Sequence, residues 1–273
     1  MDVSAQRKVR VAAVQMVSTP DVATNCVEAD RLIGEAAAHG ARLVVLPEYF
    51  PIVGMSDRDK LAVREQDGAG PIQDFLSQAA RKHGVWLVGG SVPLEASDVD
   101  KVRNTCLVFD DAGCRVARYD KIHLFGFERG RERYDESASI EPGAEVVVFD
   151  SPWGRIGLSI CYDVRFPELY RAMGEVSLIC VPAAFTQTTG EAHWELLLRA
   201  RAVENQCYVV AAAQGGTHVS GRITYGDSMI VDPWGVVLER LAKGPGVVSA
   251  EVDLDYMKSV RTSLPALTHR RFV

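Results

Sequence analysis

Much that would direct a reading elsewhere is missing from this 273-residue chain. There is no basic excess: the formal net charge is −6, which leaves no cationic face for a nucleic acid backbone. No apolar run approaches the roughly twenty residues a membrane-spanning helix needs, so no membrane partner is expected. The opening residues, Met-Asp-Val-Ser-Ala-Gln-Arg-Lys, pass directly into an apolar run, with no room for the hydrophobic segment of a secretory signal, and a cytoplasmic location is expected. The six cysteines form no Cys-x-x-Cys pair and no zinc-type spacing with histidine, which argues against a metal site or a disulfide framework. Gln214-Gly-Gly-Thr lacks the lysine and the spacing of a phosphate loop, and no cofactor is expected. Linkers rich in proline, glycine or serine are absent, as are repeats. With 47% apolar and 24% charged residues, the chain reads as one large-core domain over 1–273.

What is present is an alternation of apolar strands with helical runs. The main strand candidates cover residues 9–16, 42–46, 85–89, 105–109, 115–119, 146–149, 156–160, 176–181 and 208–213, with shorter ones at 228–231, 236–240 and 247–252. Helical runs cover 22–39, 71–83, 191–206 and 254–262, and Gly70-Pro71 marks a helix start because proline at the first turn loses no hydrogen bond. Asp110-Asp-Ala-Gly113, Ser151-Pro-Trp-Gly154 and Asp232-Pro-Trp-Gly235 read as hairpin turns. Strand-helix-strand units mixed with hairpins predict an α/β fold with a large sheet core flanked by helices. In the run 191–206, Leu196, Ala200 and Val203 share one stripe, which predicts the face laid on a sheet. Cys180 and Cys207 lie in apolar strand runs, where a thiol serves as a small hydrophobe.

Three strand ends carry chemistry. Leu46-Pro47-Glu48 ends one apolar strand, Tyr119-Asp120-Lys121-Ile122-His123 ends another, and Ile156-Gly-Leu-Ser-Ile-Cys161 ends a third at a thiol followed by a helix start. A side chain at such a strand-to-helix turn projects from the sheet edge beside the free amides of the first turn, where an oxyanion can be held. Taken singly, Glu48 reads as a solvated carboxylate and Lys121 as half of a surface pair with Asp120.

Together and in this order, the three motifs resemble the nitrilase, or carbon-nitrogen hydrolase, superfamily, and the resemblance covers nearly the whole chain. Pro182-Ala-Ala-Phe-Thr, Thr189-Gly-Glu-Ala-His-Trp-Glu and Ser228-Met-Ile-Val-Asp-Pro-Trp-Gly extend it. Within the superfamily the chain is similar to the Nit branch of deaminated-glutathione amidases and omega-amidases. Asp227 departs from that branch, which carries histidine in the matching Tyr-Gly-His-Ser segment. The resemblance implies a four-layer α-β-β-α sandwich, with Glu48, Lys121 and Cys161 as the catalytic residues. It also implies a second glutamate hydrogen-bonded to the lysine, for which Asp135-Glu136-Ser137 selects Glu136, with Glu128 and Glu132 as competitors.

These residue types suit hydrolysis of an amide, which needs a strong nucleophile, a proton for the departing nitrogen and stabilisation of charge on the carbonyl oxygen. Cys161 supplies the nucleophile, Glu48 the base, and Lys121 with the backbone N–H of Tyr162 the oxyanion site. Arg165 can hold a substrate carboxylate bidentately, and Phe185, Thr189 and His193 are candidates for the pocket wall. His123 opens an alternative in which imidazole activates the thiol. The expected substrate is a small amide, deaminated glutathione or a related 2-oxo-acid amide. A nitrile or N-carbamoyl substrate is the alternative within the same site, and a non-catalytic metabolite-binding module the alternative of another class. Finally, the helix that follows the nucleophile, residues 166–174 with Phe166, Leu169, Tyr170 and Met173, is expected to pair two copies into a homodimer or higher oligomer.

Overall fold

In the first strand, β1 (Lys8–Gln15), Val9, Val11 and Ala13 pack into one hydrophobic cluster while Ala12 and Val14 pack into another on the opposite face. Successive side chains of a strand point to opposite faces, so apolar residues on both mark a strand covered on two sides. The structure, a computed structural model, describes residues 7–130 and 132–272. Residues 1–6, read above as excluding a signal segment, lie outside the described residues.

After β1 come α1 (Val22–Ala38), β2 (Leu43–Val45), α2 (Pro71–His83), β3 (Trp86–Val88), β4 (Val92–Glu95), β5 (Val102–Phe109), β6 (Arg115–Asp120) and a hairpin, β7 (Gly126–Arg129) with β8 (Glu132–Asp135). The second half holds β9 (Val148–Ser151), β10 (Gly154–Leu158), α3 (Pro167–Ala172), β11 (Leu178–Ala183), α4 (Gln187–Asn205), β12 (Tyr208–Ala213), β13 (Ser228–Val231), β14 (Val237–Leu241), β15 (Gly246–Asp253) and α5 (Leu254–Ser263). One sheet runs β15-β1-β2-β3-β5-β4, with β6 also on β5; the other runs β14-β13-β12-β11-β10-β9. Parallel pairs β1–β2, β2–β3, β10–β11 and β11–β12 form the middle of each sheet, and antiparallel strands flank them.

The two sheets stack face to face. Val11, Leu43 and Val108 from the first share a core with Ile156, Ile179 and Val210 from the second. Leu32 and Ile33 of α1 and Leu76 of α2 cover the outer face of the first sheet. Trp194, Leu198 and Ala202 of α4, with Leu169 of α3, complete the core of the second. The layers are therefore α-β-β-α. Buried glutamines knit the sheets together where the polar backbone would otherwise lack partners: Gln214 accepts from Ser18 N–H at 3.0 Å and donates to the Glu48 carbonyl at 3.1 Å. Among the described residues no helix is long and apolar enough to cross a membrane.

Two expectations about faces are overturned. Leu196 and Val203 are 69% and 47% exposed, so the stripe read as sheet-facing in α4 points outward. The helix begins at Gln187, capped by Thr186, and its buried positions are Thr189, Gly190, Trp194, Leu198, Arg201, Ala202 and Asn205. Arg201 lies inside this buried stripe, with its Nε donating to the Val164 carbonyl at 2.9 Å, and that charge disguises the apolar side of the helix. The second correction concerns the proposed pairing helix. Leu169, Tyr170 and Met173 are buried within the protein's own core, and the Tyr170 hydroxyl donates to Ser159 Oγ at 2.9 Å. These three side chains are therefore not at the surface, and Phe166, the fourth named for the pairing, is half-buried against the His123 ring.

Candidate active site

Each of the three strand-end residues is held by local geometry that its neighbours impose. Beyond β2, Leu46 N–H donates to the Val88 carbonyl at 2.9 Å, and Gly90, at φ +59°, lies so close to the Pro47 carbonyl that no side chain fits. Ser91 Oγ then accepts from Tyr49 N–H at 3.0 Å, and Tyr49 itself has φ 55°. Glu48 is thus fixed between an extended strand and a left-handed residue. Beyond β6, Lys121 N–H donates to the Asn104 carbonyl at 2.9 Å, which continues the pairing with β5 past the strand's end. Beyond β10, Cys161 opens a 3₁₀ turn, Cys161–Arg165, at φ 51°. A non-glycine residue in the left-handed region is strained, and the residue so held lines the cleft.

One buried carboxylate ties the thiol turn to the lysine strand. Asp163 Oδ2 accepts from Ile160 N–H at 2.9 Å and from the Tyr119 hydroxyl at 2.7 Å. Its Oδ1 faces His123 Nδ1 at 2.7 Å and accepts from His123 N–H at 3.0 Å. Tyr119 and His123 flank Lys121 in sequence, so Asp163 sets the spacing between the Lys121 ammonium and the Cys161 thiol. His123, stacked on Phe166 at 3.7 Å between ring centroids, is engaged with Asp163 and supports the turn.

Lys121 is fully buried between two carboxylates. Its Nζ lies 2.9 Å from Glu48 Oε1 and 2.7 Å and 3.0 Å from the two oxygens of Glu136. Asn104 Nδ2 donates to Glu48 Oε1 at 2.9 Å, the Tyr49 hydroxyl to Glu136 Oε1 at 2.8 Å, and Phe125 N–H to Glu136 Oε2 at 2.7 Å. Burial by itself would favour a neutral amine, but the negative charges of Glu136 and Glu48 outweigh it and raise the lysine above its ordinary range. Burial likewise opposes the charge on Glu136, yet the Lys121 ammonium and the Phe125 amide hold its carboxyl below the ordinary value. Burial and then the Glu48 charge push the Cys161 thiol well up, against the opposing pull of Lys121. The site therefore disfavours the thiolate of Cys161 while favouring the charged forms of Lys121 and Glu136.

Of the three candidate glutamates, only Glu136 reaches Lys121. Glu128 is exposed on β7, and Glu132 of β8 accepts from the Thr188 hydroxyl at 2.8 Å. Around the thiol, Phe125, Glu136, Tyr162, Phe185 and Thr189 line a narrow cleft of about 10 Å³. Tyr162 packs edge-on to Phe125 at 5.2 Å, and the Thr189 hydroxyl pairs with Thr186 at 2.9 Å. Arg165 and His193 stand outside the cleft wall. The guanidinium lies over the rings of Tyr162 and Phe185 at 5.7 Å and 5.5 Å and meets His193 Nδ1 at 3.2 Å. Tyr49, Asn104, Asp163 and Arg222 escaped the sequence reading. Only Tyr49 and Asp163, beside Glu48 and Cys161, had a signal to offer. Asp227 pairs bidentately with Arg240, at 2.9 Å and 2.5 Å, away from the cleft.

The family model described as carbon-nitrogen hydrolase matches residues 10–262. A deaminated glutathione amidase of Synechocystis sp. is 42% identical over 268 residues, which are 96% of this chain and 98% of that protein. An omega-amidase of Xenopus laevis, NIT2-A, is 39% identical over 268 residues, covering 97% and 95%. Among solved structures, Saccharomyces cerevisiae Nit3, described as a member of branch 10 of the nitrilase superfamily, matches with a TM-score of 0.86 at 33% identity over 97% of both chains.

Proposed function

The chain belongs to the carbon-nitrogen hydrolase family, and from that membership we propose that it cleaves the linear amide of a 2-oxo acid through a thioester on Cys161. It is a hydrolase of non-peptide carbon-nitrogen bonds. The names of its relatives, deaminated glutathione amidase and omega-amidase, set the substrate class. The observation that carries the assignment of residues is the enclosure of Lys121 between Glu48 and Glu136 in the site where Cys161 is presented.

The chemistry follows from charge. Moving the thiol proton to Glu48 shifts one negative charge from carboxylate to sulfur and leaves the total charge of the site unchanged, so a buried site can accommodate it. The thiolate adds to the amide carbon, and the carbonyl oxygen takes up the negative charge beside Lys121 and the Tyr162 N–H. Glu48 returns its proton to the nitrogen, the amine or ammonia leaves, and the carbonyl stays on sulfur as a thioester. Glu48 then takes a proton from water as the oxygen adds to the thioester carbon, the carbon-sulfur bond breaks, the thiolate takes the proton back from Glu48, and the 2-oxo acid departs. Glu136 keeps Lys121 charged and oriented throughout. Phe185 and Thr189 shape the cleft, and Arg165 paired with His193 stands outside its wall, over the ring of Phe185. The reading includes a cytoplasmic homo-oligomer whose interface lies on a surface other than the buried Tyr170 face.

Release of ammonia or amine from a panel of deaminated glutathione, 2-oxoglutaramate, a simple aliphatic nitrile and an N-carbamoyl amino acid tests this function. Turnover of the two 2-oxo-acid amides well above the others is expected. Preference for the nitrile or the carbamoyl compound would replace it.

A further inference from the structure

Cys161 is held at φ 51°, and a non-glycine residue stays in that region only where its surroundings over-determine it. Asp163 braces the thiol turn from the side of the lysine strand. On the side of the helices the turn has a second brace, which no step of the chemistry uses.

Val164 lies in the 3₁₀ turn that Cys161 opens. The donor that such a turn would supply to the Val164 carbonyl is missing, because the residue three positions on is Pro167, which carries no N–H. Arg201 of α4 takes its place, with Nε donating to that carbonyl at 2.9 Å. The same guanidinium lies 5.3 Å over the ring of Tyr170, and the Tyr170 hydroxyl donates to Ser159 Oγ at 2.9 Å. Ser159 Oγ donates onward to the Cys180 carbonyl of β11 at 3.1 Å. One side chain thus holds the chain on both sides of the nucleophile: residue 164 directly, and residue 159 through Tyr170. All of it is buried.

Packing alone does not call for a guanidinium at this place. Arg201 is paired with Glu204, and a buried ion pair adds little net stability over apolar side chains of similar volume. What an apolar residue lacks is the directed bond to Val164 and the charge over the Tyr170 ring.

We propose that Arg201 is a positioning residue for Cys161, fixing the thiol turn so that the sulfur stays in register with Glu48 and Lys121. Arg201 lines no part of the cleft and acts only through Val164 and Tyr170. The proposal rests on Cys161 as the nucleophile of the amidase reading above.

The test compares Arg201→Met and Tyr170→Phe with Leu198→Ala, which opens a cavity on the same buried face of α4 without removing a bond to the turn. In Arg201→Met, kcat for deaminated glutathione should fall about 10²-fold with KM within about twofold, the loss expected when a reacting group is displaced by about 1 Å. Tyr170→Phe keeps the ring and loses one hydrogen bond, so kcat should fall about tenfold; this milder variant decides the matter if the arginine variant does not fold. Leu198→Ala should melt earlier than the parent yet keep kcat within about twofold. A kcat that stays within about twofold of the parent in Arg201→Met and Tyr170→Phe would overturn the proposal, and so would a loss in Leu198→Ala as large as in Arg201→Met. A second readout needs no substrate: the rate at which iodoacetamide alkylates Cys161, followed by peptide mass, should be at least about tenfold slower in Arg201→Met, and an unchanged or faster rate counts against the proposal. If the parent hydrolyses no amide while its Cys161 alkylation still slows in the variants, the amidase reading fails and the positioning role stands.

Discussion

Glu136→Gln is the substitution that probes the ion cluster with the least change of shape. Oε1 of Glu136 accepts from the Tyr49 hydroxyl at 2.8 Å and Lys121 Nζ at 3.0 Å, and Oε2 from Lys121 Nζ at 2.7 Å and Phe125 N–H at 2.7 Å. An amide has one oxygen, so whichever end becomes NH₂ places a donor against two donors. Breaking a buried ion pair by removing one partner costs about 3–5 kcal/mol, and because Lys121 keeps Glu48 the lower end applies, about 3 kcal/mol. For a protein of this size that corresponds to a fall in Tm of about 5 °C. Catalysis should suffer more. With Glu136 neutral, Lys121 is balanced by Glu48 alone, which makes Glu48 a weaker acceptor for the thiol proton and leaves the ammonium less firmly aimed. A drop in kcat of about 10²–10³ is expected, the size seen when one oxyanion-stabilising group is lost. Thermal unfolding and amine release measured on the same preparation check both numbers. A variant that melts within about 2 °C of the parent and turns over within a factor of two would refute the reasoning.

Asp163→Asn should lower kcat about 10²-fold while leaving KM nearly unchanged, since it misplaces the thiol turn relative to Lys121 without touching the cleft wall; loss of binding in place of rate would contradict this. Tyr170→Glu should fail to fold, because it buries a carboxylate in the core of the second sheet. A folded monomer with normal activity would count against that placement, and a shift from dimer to monomer by light scattering would restore Tyr170 as an interface residue. The pH dependence of stability has a definite sign. The carboxyl of Glu136 is held below its ordinary value of 4.5, so its contribution is present above that pH and is lost as pH falls through the lower folded value. Lys121 is raised above 10.5, so its contribution is full below that pH and disappears only on more alkaline titration. Denaturant unfolding of parent and Glu136→Gln should therefore differ most between these limits and converge in acid; a difference that grows below pH 4.5 would reverse the assignment.

The strands that lead to Glu48 and Cys161 are legible in the sequence because each is an apolar run that stops abruptly, whereas the strand before Lys121, Arg115–Asp120, is half charged and is marked by the Asp110–Gly113 turn before it. The residue pattern reaches an α/β fold with a covered sheet, and the four layers come from the family resemblance, because a strand covered on both faces such as β1 does not say whether helix or sheet covers it. Where no such pattern exists, the sequence is silent. The hairpin β7–β8 has no buried residue, so no alternation announces it, and β4 contains Pro93, which cannot donate to a ladder and reads as a break. In α4 the buried Arg201 and Asn205 replace apolar residues on the inner face, while Leu196 and Val203 stand outside, so a hydrophobic stripe drawn from sequence lands on the wrong side. At the site, Asn104 and Arg222 come from segments distant in sequence, brought in by sheet pairing and by a loop whose path no local signal fixes. Arg165 next to the nucleophile looks like the anion holder from sequence, but the fold engages it with two rings and His193.

The measurement closest to the central claim is the mass of the enzyme during turnover. Mixing the protein with an excess of a 2-oxo-acid amide, quenching in acid within the first turnover and mapping peptides should reveal the acyl group on Cys161, with amine released in equal amount and the adduct absent from Cys161→Ala. That variant should stay folded and show no turnover, since loss of one small thiol removes the nucleophile and little else. Amine release without any acylated Cys161, or turnover by Cys161→Ala, would contradict the account.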